Sequence, residues 1–201
     1  EAYAAWDKFN FEKASETLNN LDLGLVESES LSETIAKHKH LLYRIKSGEL
    51  NEIKIKDLYY NARRRYEEGK YDDAVARLYR MLEMIAQVEF ERLYGCSTSA
   101  VPGDKLSEEL QEQFKRSFEE DKGIYRLALL DTYHAIHAMG SEVGKRLFEN
   151  FDEVRKVLGM RNSSILAHGV TPVSKSAFER FDGVVQQLVQ IDGELEFPEL
   201  G

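Results

Sequence analysis

Met160-Arg161-Asn162-Ser163-Ser164-Ile165-Leu166-Ala167-His168-Gly169 closes an amphipathic run that begins at Asp152. Arg161 and His168 stand seven residues apart in it. Along a continuous helix that spacing makes almost two turns, so both side chains project from one face, about 10 Å apart. Gly169 suits the position just past a helix end, and Pro172 keeps the helix from resuming at once. His168 then falls in the last turn, where the helix dipole favours its protonated form. An arginine offers a planar fork for phosphate oxygens, and a histidine takes or gives a proton near neutral pH. The pair suits cleavage of a phosphodiester without a metal, and Asn162 adds a neutral donor that can orient either partner or a phosphate oxygen. Spacing alone also fits a plainer reading, a solvated arginine and a histidine that caps the helix.

An arginine, a polar neighbour and a histidine after four to six intervening residues resembles the signature of the HEPN ribonuclease superfamily; here six intervene and the neighbour is Asn162. A second stretch, Gly69-Lys70-Tyr71-Asp72-Asp73-Ala74-Val75-Ala76-Arg77-Leu78-Tyr79-Arg80-Met81-Leu82-Glu83-Met84-Ile85-Ala86-Gln87, resembles the first long HEPN helix of CRISPR-associated CARF–HEPN effectors. The two stretches come in that family's order and separation, and the resemblance covers about residues 50 to 190.

The resemblance implies an all-α, HEPN-like helical bundle and a homodimer that pairs its motif helices across a twofold axis, so that two arginines and two histidines line one cleft. It further implies attack of a ribose 2′-OH on the adjacent phosphate of single-stranded RNA, giving a cyclic phosphate. His168 would move protons, Arg161 would stabilise the developing phosphorane charge and Asn162 would position. Arg155, Lys156 and Lys175 are expected to gather RNA, and Arg80, Glu83, Gln87, Ser163 and Ser164 to support the site or the dimer interface. No cofactor and no metal is expected. Two readings from other classes remain: a catalytically silent helical interaction module, and a HEPN toxin paired with an antitoxin. In the CRISPR effectors an α/β CARF domain that senses cyclic oligoadenylate precedes the HEPN part, and nothing here reads as its parallel strands. The chain is then either the C-terminal piece of such a protein or a stand-alone relative; opening on Glu1 rather than methionine favours the first.

At 201 residues the chain can bury a core without staples. Cys96 is its single cysteine, which excludes an internal disulfide and points to a reducing compartment. No apolar run approaches the roughly 20 residues a membrane span needs, and no signal pattern opens the chain, so a cytoplasmic protein is expected. A net charge of −9 is the wrong sign for coating nucleic acid through broad electrostatics. Contact with RNA must be local, and Val143 to Arg180 supplies a basic region, seven cations against four carboxylates.

The remaining periodicity predicts helices throughout, with residues 1–48 as an N-terminal extension, 49–192 as the HEPN-like domain and 193–201 as an acidic tail. Helices are expected within residues 1–20, over Leu31–Ser47, Ile53–Glu68 and Tyr71–Tyr94, then over Leu106–Phe118, Ile124–Met139, Val143–Asn150, Asp152–Ala167 and from Ser176 to about Val189. Tyr71–Tyr94, opened by Asp72 and Asp73, carries the broadest apolar surface and should be central to the core. On it Arg80, Glu83 and Gln87 form a polar strip, which reads either as an intrahelical Arg80–Glu83 pair or, as expected here, as a brace for the motif helix or a partner subunit. Ser107 is a plausible N-cap, and Ser176 with Glu179 reads as a capping box. Gly95–Asp104 reads as an irregular loop. His38 and His40, two residues apart, do not share a helix face and are expected to be exposed. Arg63, Arg64 and Arg65 read as a solvated basic cluster, with RNA contact as the lesser reading. Asp131, His134 and His137 drift around their helix at three-residue steps with no fourth ligand, so half-buried polar residues are expected there rather than a metal site. Trp6, Phe11, Ala14 and Leu18 match Tyr66, Tyr71, Ala74 and Leu78 at a constant offset of 60, a faint echo that fits a divergent duplication or coincidence.

Overall fold

The computed structural model describes residues 1–26, 28–46, 52–162 and 171–189. Ten α-helices occur among them, so the chain is all-α, as its periodicity indicated. Its described residues divide into two compact units, one within residues 1–61 and one within residues 62–189.

The first unit holds α1 (Ala2–Trp6), α2 (Phe11–Asn19), α3 (Glu29–Ile45) and the part of α4 (Glu52–Glu67) that ends at Asn61. Asn10 and Ser28 cap α2 and α3 by accepting the backbone N–H groups of Lys13 and Leu31, which satisfies donors the first helical turn leaves unpaired. Trp6, Ala14, Leu18, Leu42 and Ile45 are buried at the centre of this unit. The indole needs a partner for its N–H in such a place, and Nε1 donates to Asp57 Oδ1 at 2.8 Å.

His38 overturns the expectation of exposure, whereas His40 is exposed as expected. Its ring packs edge-on against Tyr3 and Trp6, and its Nδ1 lies 3.0 Å from the Tyr3 hydroxyl. Both aromatics come from α1, so helix spacing within α3 carried no trace of them. Burial holds the imidazole below its ordinary value of 6.5 and pushes the Tyr3 phenol up to about 12. A folded histidine with a lowered pKa binds fewer protons than the unfolded chain, so its contribution to stability is complete above pH 6.5 and falls as pH drops toward the folded value. Thermal melts of wild type and His38→Gln between pH 7.5 and 5 should therefore differ in slope, with the variant losing less on acidification. Parallel curves would show that folding does not shift the His38 pKa.

The second unit is organised around α5 (Tyr71–Tyr94), whose observed bounds are those the periodicity gives. Gly95 ends it in the left-handed region, at φ 67°, which an L side chain rarely adopts. Leu78, Met81, Leu82 and Phe90 are fully buried, and α7 (Leu129–Ala138), α8 (Glu142–Glu149), α9 (Phe151–Asn162) and α10 (Lys175–Leu188) all pack against α5. Two buried tyrosines tie α7 to it: the Tyr133 hydroxyl donates to Leu82 O at 3.1 Å, and the Tyr94 hydroxyl donates to Ala135 O at 2.8 Å. A methyl group at Gly144 would sit 2.8 Å from the His137 backbone, so this glycine is what lets α8 approach α7 so closely.

Three readings are corrected in this unit. The loop after Gly95 and the expected helical ends around Phe118 and Ile124 instead form a small antiparallel sheet, β1 (Val101–Pro102), β2 (Phe118–Glu119) and β3 (Ile124–Tyr125), in the order β1-β3-β2. Val101 and Phe118 both face Tyr125 across it. The helix from Ser107 is correspondingly short, α6 (Glu108–Gln113), although Ser107 is its cap. The helix expected from Ile124 starts at Leu129, because Arg126 and Leu127 donate instead to Ser117 O and Thr98 O. Second, α10 is capped by Ser174, which accepts from Ala177 N, and not by Ser176. Glu179, the other half of the expected box, accepts from the Tyr66 hydroxyl at 2.7 Å. Third, the arginine cluster is not merely solvated: Arg63 donates to the buried Asp182 at 3.1 Å, and Arg65 donates to Glu68 at 2.6 Å.

Candidate functional site

The position of Arg161 follows from the pattern of α9. Val154, Val157 and Leu158 are the buried face of that helix, and Arg161 comes seven, four and three residues after them. Helical periodicity carries Arg161 along the same face, toward α5, so it is half-buried while its neighbour Asn162 is exposed. There the guanidinium carbon lies 4.2 Å from the centroid of the Tyr79 ring. Among the described residues its polar contact is a 3.3 Å hydrogen bond from Nη1 to Asn162 Oδ1. No carboxylate among the described residues is in ion-pair distance of it. A ring face holds a guanidinium without occupying its in-plane N–H donors, whereas a carboxylate would take two of them.

Tyr79 stands on α5 beside the polar strip. Arg80 Nη1 donates to Glu83 Oε2 and to Gln87 Oε1, each at 3.1 Å, so the strip is bonded along its own helix and half-exposed. Burial raises the Tyr79 phenol above its ordinary range; the Glu83 carboxylate adds to the rise and the Arg161 cation opposes it. The strip stands out in the sequence and Tyr79 does not, since an aromatic on a core helix reads as packing.

The other cations are placed differently. Arg155 and Lys156 precede Arg161 by six and five residues, which puts them about 120° and 140° around the α9 axis, on its exposed side. Arg155 lies 5.9 Å from the Phe151 ring centroid, and Lys156 pairs with Glu153 at 2.5 Å. Lys175 opens α10, with Nζ 5.7 Å from the Tyr66 ring centroid and 3.9 Å from Glu179. Ser163, Ser164 and His168 lie outside the described residues. Beyond that stretch the backbone N–H of Val173 donates to Asp72 Oδ1 at 3.2 Å, so Asp72 serves α5 and also holds the chain that enters α10.

Asp131, His134 and His137 are drawn into packing. Asp131 accepts from Ser117 Oγ at 3.0 Å, and the two imidazoles lie 4.5 and 4.9 Å from the Phe148 ring. Burial lowers the His134 pKa, which favours its neutral form.

A long central helix, a second helix that delivers an arginine onto it, and a closing α10 occupy the span in which comparison with known families finds a match. Residues 48–192 match the Csm6 HEPN domain. No curated protein matches the chain. With most of its length covered by that match, the chain belongs to the Csm6 HEPN domain family, a CRISPR-associated family of helical domains that are generally ribonucleases.

Proposed function

We propose that this chain is a metal-independent endoribonuclease domain of a CRISPR-associated antiviral effector, cutting single-stranded RNA. The observation that carries the reading is Arg161: a half-buried guanidinium, braced by a ring face, with donors still available to a phosphate, at the motif position of a family whose domains are generally ribonucleases. In this reading the ribose 2′-oxygen bonds to the adjacent phosphorus as the P–O5′ bond breaks. The proton of the 2′-OH is removed and the departing 5′-oxygen gains one, with His168 serving that transfer. Arg161 stabilises the charge on the phosphorane oxygens and Asn162 orients it. A flexible single strand can take the in-line geometry that an A-form helix resists.

The catalytic set is sparse for one chain, so the active species is a homodimer whose twofold axis brings two Arg161–His168 pairs to one cleft. Arg80, Glu83, Gln87, Ser163 and Ser164 support that interface. Arg155, Lys156 and Lys175 gather RNA at its rim. Residues 49–192 form the nuclease domain, 1–48 an extension and 193–201 a tail, and a CARF domain sensing cyclic oligoadenylate is the regulatory partner.

Cleavage of a fluorescent single-stranded RNA should proceed unchanged in excess EDTA and weaken steadily as salt rises from 50 to about 300 mM, because phosphate contacts are screened. A perfect duplex should be cut far more slowly. Activity lost on chelation and restored by a divalent ion would overturn the metal-independent reading, and absence of cleavage under all these conditions would favour a silent interaction module.

A further inference from the structure

We infer that Tyr79 is a positioning residue that holds the Arg161 guanidinium in a fixed plane for the phosphate; this rests on the proposed role of Arg161. Arginine has many rotamers, and an arginine at the end of a helix would ordinarily sample them in solvent. Here the ring of Tyr79 lies 4.2 Å below the guanidinium carbon, close enough for the cation to settle on its face. A guanidinium held on a ring face spends none of its N–H donors on the ring. The one carboxylate that the polar strip offers, Glu83, is already engaged by Arg80 at 3.1 Å. Glu83 thus takes no part of the Arg161 fork, whose bond among the described residues is that from Nη1 to Asn162 Oδ1, and Gln87 accepts from the same Arg80 nitrogen, which anchors the arrangement along α5. Positioning of this kind does not involve the phenol oxygen. The ring alone is needed, and Tyr79 is half-buried with its hydroxyl in no hydrogen bond among the described residues.

The test is a set of purified variants in the single-stranded RNA assay. Tyr79→Phe and Tyr79→Trp keep a ring and should cleave within about twofold of wild type, while Tyr79→Leu and Tyr79→Met should lose about tenfold in kcat with KM little changed, as loss of a partly desolvated cation–π contact implies. Two aliphatic variants are used so that one folding failure does not decide the matter. Coupling provides a readout that a packing role would not move. In a cycle with Arg161→Lys, the Tyr79→Leu defect should shrink, because a lysine has no planar fork to hold. A Tyr79→Phe loss as large as that of Tyr79→Leu, or full additivity in the cycle, would overturn the inference. Cleavage that survives Arg161→Ala would instead bring down the role of Arg161 itself, which separates the two failures.

Discussion

Replacing Arg161 or His168 with alanine should each lower RNA cleavage by at least about 100-fold, at unchanged helicity. The size follows from what each group does. Removing a preorganised donor from a developing oxyanion costs about 100- to 1,000-fold, and loss of a general acid or base costs about 100- to 10,000-fold. Stability should scarcely follow. Arg161 is half-buried but fills no apolar cavity, and its loss forfeits chiefly the contact with Tyr79, on the order of 1 kcal/mol, which moves the melting temperature of a chain this size by about 2 to 4 °C. Activity and melting should therefore separate cleanly. A variant of either residue that cleaves at the wild-type rate would remove that residue from the catalytic set.

The second large effect concerns assembly. If each subunit supplies one arginine and one histidine to a shared cleft, activity per chain should rise steeply as concentration passes through the dimerisation range, and a monomer should be inactive. Mixing Arg161→Ala with His168→Ala subunits makes this specific. About half of randomly reassorted dimers then hold an intact arginine from one subunit and an intact histidine from the other. Partial activity should return on mixing two inactive proteins, provided that one such set suffices. Sedimentation that finds a fully active monomer at assay concentration would refute the composite cleft and leave Arg161 and His168 to act within one chain.

The α5 helix was legible to the residue, because Asp72 and Asp73 open it, apolar positions recur without a break and Gly95 closes it in a left-handed turn. The echo at offset 60 was also structural. Trp6 and Tyr66 lie at or near the end of one helix, Phe11 and Tyr71 each open the next, and Ala14 and Ala74 are both fully buried. Strands of two residues, by contrast, have no period to read, so β1, β2 and β3 passed for loop and helix ends. Partners distant in sequence defeated the local rules elsewhere. Glu179 reads as half of a capping box until Tyr66 takes it, and His38 reads as a surface histidine until Tyr3 and Trp6 enclose it. The candidate site divides in the same way. The motif puts Arg161 and Asn162 forward as candidates, while no pattern does so for Tyr79, since nothing within α5 tells a packed tyrosine from one that carries a cation brought by α9.

The most direct test uses two short single-stranded RNAs, identical except that one carries a single 2′-deoxyribose on the 5′ side of the preferred cleavage position, incubated with the wild-type chain in EDTA. Attack by the ribose hydroxyl predicts that the all-ribose strand yields a 5′ fragment ending in a 2′,3′-cyclic phosphate by mass spectrometry, and that the deoxy strand resists cleavage at that position. Equal cleavage of both strands at the same bond, or a 5′ fragment ending in a free 3′-hydroxyl, would contradict it.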